Sequence, residues 1–155
     1  MIDPSACVID REWIARHIPH QGSMCLLDSV ESWDDENIVC VASSHSRVEN
    51  PLRADGSLGI ANAIEYAAQA MAVHSALVNG ESAAPKSGYL TSVRDVHWYR
   101  PRCDDLTIEL KVCVHRFSGN EINVLYDFEI CADTLLLMRG RASVMLNADA
   151  ATSLR

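Results

Sequence analysis

Between Leu58 and Asn79 only one residue carries a formal charge: Glu65, in the stretch Ala63-Ile64-Glu65-Tyr66-Ala67-Ala68-Gln69-Ala70-Met71. A carboxyl surrounded by Ala, Ile, Val and Met loses hydration of its ionised form. It is therefore expected to titrate above the ordinary carboxylate range, which suits a general acid. At about 100° per residue along a helix, Asn62, Glu65, Tyr66 and Gln69 fall on one side and His74 on the opposite side. The alternative use of Glu65 is a structural ion pair with an arginine from a strand, such as Arg94.

A general acid needs a base. His20 lies in Ile18-Pro19-His20-Gln21-Gly22-Ser23-Met24, a loop between rigid elements, where catalytic groups concentrate. His45 follows an apolar run and precedes a loop, and is the alternative base. His17, His74, His97 and His115 read as structural or solvent-facing. There is no HxxxH or HExxH spacing, so neither a metal site nor a cofactor is expected.

The elements that must position these groups can be read from periodicity. Asp10 caps a short helix carrying Glu12, Trp13, Ile14 and His17, with Ile9 and Trp13 placed for a hydrophobic staple; Pro19 ends it. The spacing predicts a strand over Met24–Val30, a polar turn over Trp33–Asn37, and a second strand over Ile38–Ser44. His45–Gly56 reads as a loop. A long apolar helix is expected from near Asp55 or Ser57 to just before Gly80, roughly 20 residues or 30 Å. After a connection containing Gly, Ser, Ala and Pro, Tyr89–Val93 and Val96–Tyr99 read as strands. Leu106–Val114 alternates with period two, and Gly119-Asn120 and Asp133-Thr134 mark turns into Ile122–Ile130 and Leu135–Leu146. A helix apolar on most sides must be covered on most sides. The expected fold is α+β: one domain over residues 1–155, with a curved antiparallel sheet wrapped around one long central helix, the hot-dog arrangement, paired with a second copy as a dimer.

Composition narrows the function classes. The 155 residues are 48% hydrophobic and 22% charged, with 13 Lys plus Arg against 21 Asp plus Glu and a net charge of −8. No basic stripe with interleaved aromatics is present, so nucleic acid is not an expected partner. Arg94, Arg100 and Arg102 are the candidates for a small local basic patch. The six cysteines are scattered without a CxxC pair and read as small buried hydrophobes. There is no signal-peptide pattern at the N-terminus and no apolar run long enough to span a bilayer, which leads to the expectation of a cytoplasmic protein.

Two motifs carry a resemblance. Ile18-Pro19-His20 followed by Met24, Leu26, Leu27 and Asp28 resembles the "LPHRxPMLLLD" opening of the 3-hydroxyacyl-[acyl-carrier-protein] dehydratases. Ile64-Glu65-Tyr66-Ala67-Ala68-Gln69-Ala70 resembles their "IEYMAQA" helix. Asn50-Pro51-Leu52-Arg53-Ala54-Asp55-Gly56-Ser57-Leu58 is similar to the "NPFLDxDGxLP" segment of the divergent branch associated with aryl polyene and related lipid clusters. The housekeeping "GHFPGHP" motif is replaced by Ser44-His45-Ser46-Arg47-Val48-Glu49-Asn50-Pro51.

The resemblance implies dehydration of a 3-hydroxyacyl thioester on an acyl carrier protein, in fatty-acid or aryl-polyene-like lipid synthesis. His20 (or His45) would take the α-proton, and Glu65 would protonate the leaving hydroxyl or hold a water. A backbone N–H near the helix N-terminus would polarise the thioester carbonyl. Gly59 (or, as the alternative, Gly56) would let the substrate approach that end closely, and Asn62, Tyr66 and Gln69 would face the substrate. Ile60, Ile64 and Met71 are core residues of which some would line an acyl tunnel. In such enzymes the histidine and carboxylate come from different chains, so a homodimer, or a heterodimer with a related hot-dog subunit, is implied. Two alternatives share the fold: an acyl thioesterase using the helix carboxylate, and a non-catalytic partner of an active dehydratase.

Overall fold

A computed structural model describes residues 9–80, 88–120 and 122–146. The connection expected after Gly80 and the residue Cys7 lie outside the described residues. Helix α1 spans Arg11–His17, and its cap is the expected one: the Asp10 carboxylate accepts the Trp13 N–H at 2.9 Å. Helix α2 spans Ala63–Asn79 and is preceded by a 3-10 turn over Ile60–Asn62. Strands β1 (Ser29–Trp33), β2 (Asn37–Ala42), β3 (Gly88–Trp98), β4 (Leu110–Gly119), β5 (Asn123–Ala132) and β6 (Leu135–Leu146) form one antiparallel sheet in the order β1-β2-β4-β5-β6-β3.

The sheet lays β2, β4 and β5 against α2. Strand β4 alternates as its period required, with Leu110, Val112 and Val114 buried and the residues between them half-exposed. From the helix, Ala63, Tyr66, Ala67, Ala70, Met71 and Val73 are buried in the same core as Ile38, Cys40, Tyr126, Phe128 and Ile130. Gly140 of β6 has a local reason: a Cβ there would meet Phe128 Cζ at 2.8 Å, so the absent side chain makes room for the ring. This is the hot-dog architecture.

Several boundaries differ from the sequence reading, four of them for a local reason. Only the end of Met24–Val30 is strand. Residues 22–24 form a 3-10 turn with Gly22 at φ 59, and Cys25–Leu27 are buried without a neighbouring strand. The long helix starts later than Asp55 or Ser57, because Ala54 and Ser57 close a tight turn on each other, with Asp55 at φ 52 and Gly56 at φ 79. Tyr89–Val93 and Val96–Tyr99 are one strand interrupted by a bulge between Arg94 and His97, where Asp95 adopts φ 53. Leu106–Glu109 precede β4 rather than belonging to it. Among the described residues no helix is long and apolar enough to cross a membrane.

His74, deep in α2, is 1% exposed. Its Nε2 lies 2.9 Å from the Asp34 carbonyl and its Nδ1 3.4 Å from the Tyr126 hydroxyl. A ring that donates from Nε2 and accepts at Nδ1 is neutral, and burial, the largest influence, pushes its pKa below 6.5. Burial also lowers the pKa of His45. A folded pKa below the unfolded value means stability that is whole above 6.5 and lost as pH falls. The thermal midpoint should therefore drop as pH falls below about 6.5. His74→Leu should flatten that slope; an equal slope in the variant would assign the loss elsewhere.

Candidate active site

The first turn of α2 carries Glu65, where the free N–H groups and the helix dipole favour a carboxylate. That places it nearer the helix start than a helix beginning near Asp55 or Ser57 would have done. On the other side, α1 ends at Ile18, whose N–H still reaches the Ile14 carbonyl. Pro19 then carries the chain out of the helix, and His20 follows. The 3-10 turn at Gly22–Met24 folds the chain back under α2.

These two elements bring His20 Nε2 to 3.0 Å from Glu65 Oε1, with the side chains 25% and 35% exposed. The pair is thus half-sheltered but reachable. The partner of Glu65 is His20, not the arginine considered as its alternative; Arg94 is exposed on β3. An ionised carboxylate can only accept, so Nε2 carries the proton in this contact. Nδ1 of His20 is shut from solvent and has no partner among the described residues. The hydrogen bond from His20 lowers the Glu65 pKa and outweighs the opposing effect of burial. The expected rise does not occur: desolvation acts as foreseen, but a partner from another element wins.

The resemblance implied that histidine and carboxylate come from different chains; here His20 and Glu65 meet within one chain. His45, the alternative base, is fully buried, with Nε2 3.0 Å from the Leu106 carbonyl and Nδ1 without a partner among the described residues.

Of the residues expected to face substrate, Gly59 and Asn62 sit at the start of the helical segment, and Asn62 Nδ2 donates back to the Gly59 carbonyl at 3.1 Å. The neighbouring peptides pair with the chain segment at 101–103: Ile60 N–H reaches the Pro101 carbonyl and Cys103 N–H the Leu58 carbonyl. That pattern turns the Gly59 N–H away from the segment, and it has no partner among the described residues. Asp104 secures the arrangement. It accepts the Leu58 N–H at 3.0 Å and the Arg102 Nε at 2.9 Å, and Arg53 lies 3.4 Å away. Its carboxyl is held well below the usual range, chiefly by Arg102. Arg100 likewise pairs with Asp105 at 2.9 Å. The expected Arg94, Arg100 and Arg102 patch is therefore not a set of free cations.

Tyr66 and Gln69 point inward instead. The Tyr66 hydroxyl lies 2.7 Å from Ser44 Oγ and accepts from Asn50 Nδ2 at 3.0 Å. Gln69 Oε1 accepts the Leu26 N–H at 2.9 Å, and its Nε2 donates to the Met24 carbonyl at 2.6 Å. The polar atoms of both side chains are thus bonded inside the protein, and the Gln69 amide also contributes to lowering the Glu65 pKa. The sequence reading missed Ser44 and Asn50 as members of this network; Asn50 sits in the quoted Asn50-Pro51 motif, the one available signal. No grouping of three His, Cys, Asp or Glu among the described residues suits a metal ion, and Cys25, Cys40, Cys103, Cys113 and Cys131 are free.

The family model described as ApeP-like, ApeP dehydratase, matches residues 12–155. The chain belongs to the ApeP-like dehydratase family. Its architecture is similar to a chain of the dehydratase heterocomplex ApeI:P from Xenorhabdus doucetiae, with 25% identity, a TM-score of 0.76, and coverage of 85% of this chain and 89% of that one. A thioesterase variant from Pseudomonas aeruginosa shares the fold at 16% identity and a TM-score of 0.56, over 77% and 80% of the two chains. AziG from S. sahachiroi does so at 15% and 0.57, over 79% and 90%. No curated protein matches this ApeP-like chain in sequence.

Proposed function

We propose that this chain dehydrates 3-hydroxyacyl thioesters, presented on an acyl carrier protein, to 2-enoyl thioesters in aryl-polyene-like or fatty-acid synthesis. The observation that carries this reading is the 3.0 Å contact of His20 with Glu65 in an ApeP-like dehydratase chain. With a proton on each ring nitrogen, His20 first passes the Nε2 proton to Glu65 across their contact. The freed Nε2 takes the α-proton, and Glu65 gives its proton to the 3-hydroxyl, which leaves as water. Because the two side chains share a proton across their contact, a proton gained at the ring can be released at the carboxyl. A resting Glu65 that is ionised is therefore no obstacle to its acting as the acid. The unpartnered Gly59 N–H faces the developing negative charge on the thioester oxygen, with the helix start behind it.

One observation favours a second reading. An ionised carboxylate on this helix could activate water for thioester hydrolysis, and the lowered Glu65 pKa suits that chemistry. Incubation with a 3-hydroxyacyl-carrier thioester separates the readings: enoyl thioester supports dehydration, and free acid supports hydrolysis. Product formed only after a second hot-dog subunit is added marks this chain as the partner of an active dehydratase.

The partner surface in this reading is β3. It pairs only with β6, so its other edge is unpaired among the described residues, and Tyr89, Leu90 and Trp98 on it are exposed. A long apolar edge is completed by a second hot-dog subunit, either another copy or a relative, as the ApeI:P complex name suggests. Light scattering should give twice the 17.1 kDa chain mass, or a mixed dimer when a related subunit is co-expressed. A 17.1 kDa species under both conditions would contradict this.

A further inference from the structure

Glu65 and Gln69 lie one helical turn apart on α2, yet their environments are opposed. Glu65 is partly open, whereas Gln69 is fully buried and uses both ends of its amide on the backbone of one short segment. That segment leads to His20. The Met24 carbonyl accepts from Gln69, the Met24 N–H donates to the Gln21 carbonyl at 3.1 Å, and Gln21 adjoins His20. The other end is held as well. The Leu26 N–H goes to Gln69 and the Leu26 carbonyl accepts from Ser44 Oγ at 2.8 Å, while that hydroxyl also contacts Tyr66. Helix α2 thus grips the His20 segment directly through Gln69 and, by way of Tyr66 and Ser44, at one further point, without any strand pairing at 25–27.

We propose that Gln69 is a positioning residue: its amide fixes the 24–26 backbone at the distance from α2 that lets His20 meet Glu65. This rests on His20 and Glu65 being the working pair, but it makes its own prediction about the free protein. A buried amide with two backbone partners is costly to misplace, because shifting it leaves an N–H and a carbonyl unpaired. The His20 segment therefore has one favourable seating, and the His20–Glu65 hydrogen bond follows from it. The same hydrogen bond is what lowers the Glu65 pKa most, and the Gln69 amide lowers it to a lesser extent in its own right.

The test is the titration of the Glu65 side-chain carboxyl, followed by carbon NMR in the intact protein without substrate. Gln69→Met and Gln69→Leu each remove both hydrogen bonds to the segment without adding charge; the same substitutions in a His20→Ala background measure the direct effect of the amide on Glu65. In whichever variant folds, Glu65 should titrate at higher pH than in the parent. The shift should be larger than the one the same substitution causes in the His20→Ala background; an equal shift in the two backgrounds overturns the proposal. Dehydration should fall about 10- to 100-fold in kcat, with a smaller change in KM. Val73→Ala, also buried on α2, is the control for general weakening: it should lower thermal stability and leave the Glu65 titration in place. An unchanged Glu65 titration in a folded Gln69 variant overturns the proposal, as does an equal shift in Val73→Ala. Because the titration needs no turnover, it decides the role of Gln69 even if the chain proves not to be a dehydratase.

Discussion

Glu65→Gln should lower the dehydration rate by about 100-fold or more and leave the fold intact. The amide matches the carboxyl in shape and can still accept from His20 Nε2, so the 3.0 Å contact need not be lost. What disappears is the ability to take up and release a proton. Since the side chain is 35% exposed, the cost in stability should be small. In the parent, loss of activity on acidification should begin below the ordinary carboxylate range, because His20 holds the Glu65 pKa down. That acid limb should be missing from whatever activity the variant retains. A variant that turns over at the parental rate would remove Glu65 from the chemistry.

The second large effect separates the two histidines. His20→Ala should abolish dehydration, because it removes both the group opposite Glu65 and the hydrogen bond that sets its ionisation. His45→Ala should behave differently. His45 is buried with Nε2 against the Leu106 carbonyl, so truncation leaves a cavity and an unpaired acceptor. The loss should appear as stability, on the order of 2–4 kcal/mol, with most of the turnover kept below the melting range. Assaying both variants at a temperature where each is folded makes the comparison clean. Lost turnover in a folded His45→Ala protein, with His20→Ala active, would move the base to His45.

The sequence was informative where one element decides the outcome. The Asp10 cap, the alternation in β4 and the apolar length of α2 are local patterns, and together they left a curved sheet around a helix as the arrangement that covers every apolar face. Glu65 and His20 also stood out by type and setting. Their meeting could not be read, because it depends on Gln69 and Leu26, which are 43 residues apart in the chain and joined only in the fold. The misread strand at Met24–Val30 has the same origin. Its apolar run is buried as expected, but its peptides bond to side chains at Gln69 and Ser44 rather than to a neighbouring strand. Burial of Glu65 was legible and its partner was not, so the direction of the pKa shift came out reversed.

Enoyl-thioester formation by the parent, His20→Ala, Glu65→Gln and the double variant tests most directly whether His20 and Glu65 work as one unit. Side chains that act together are strongly non-additive when removed. The double variant is therefore expected to be no slower than the slower single variant, all three far below the parent. Losses that multiply in the double variant, or a single variant that keeps the parental rate, would contradict a shared proton at the 3.0 Å contact.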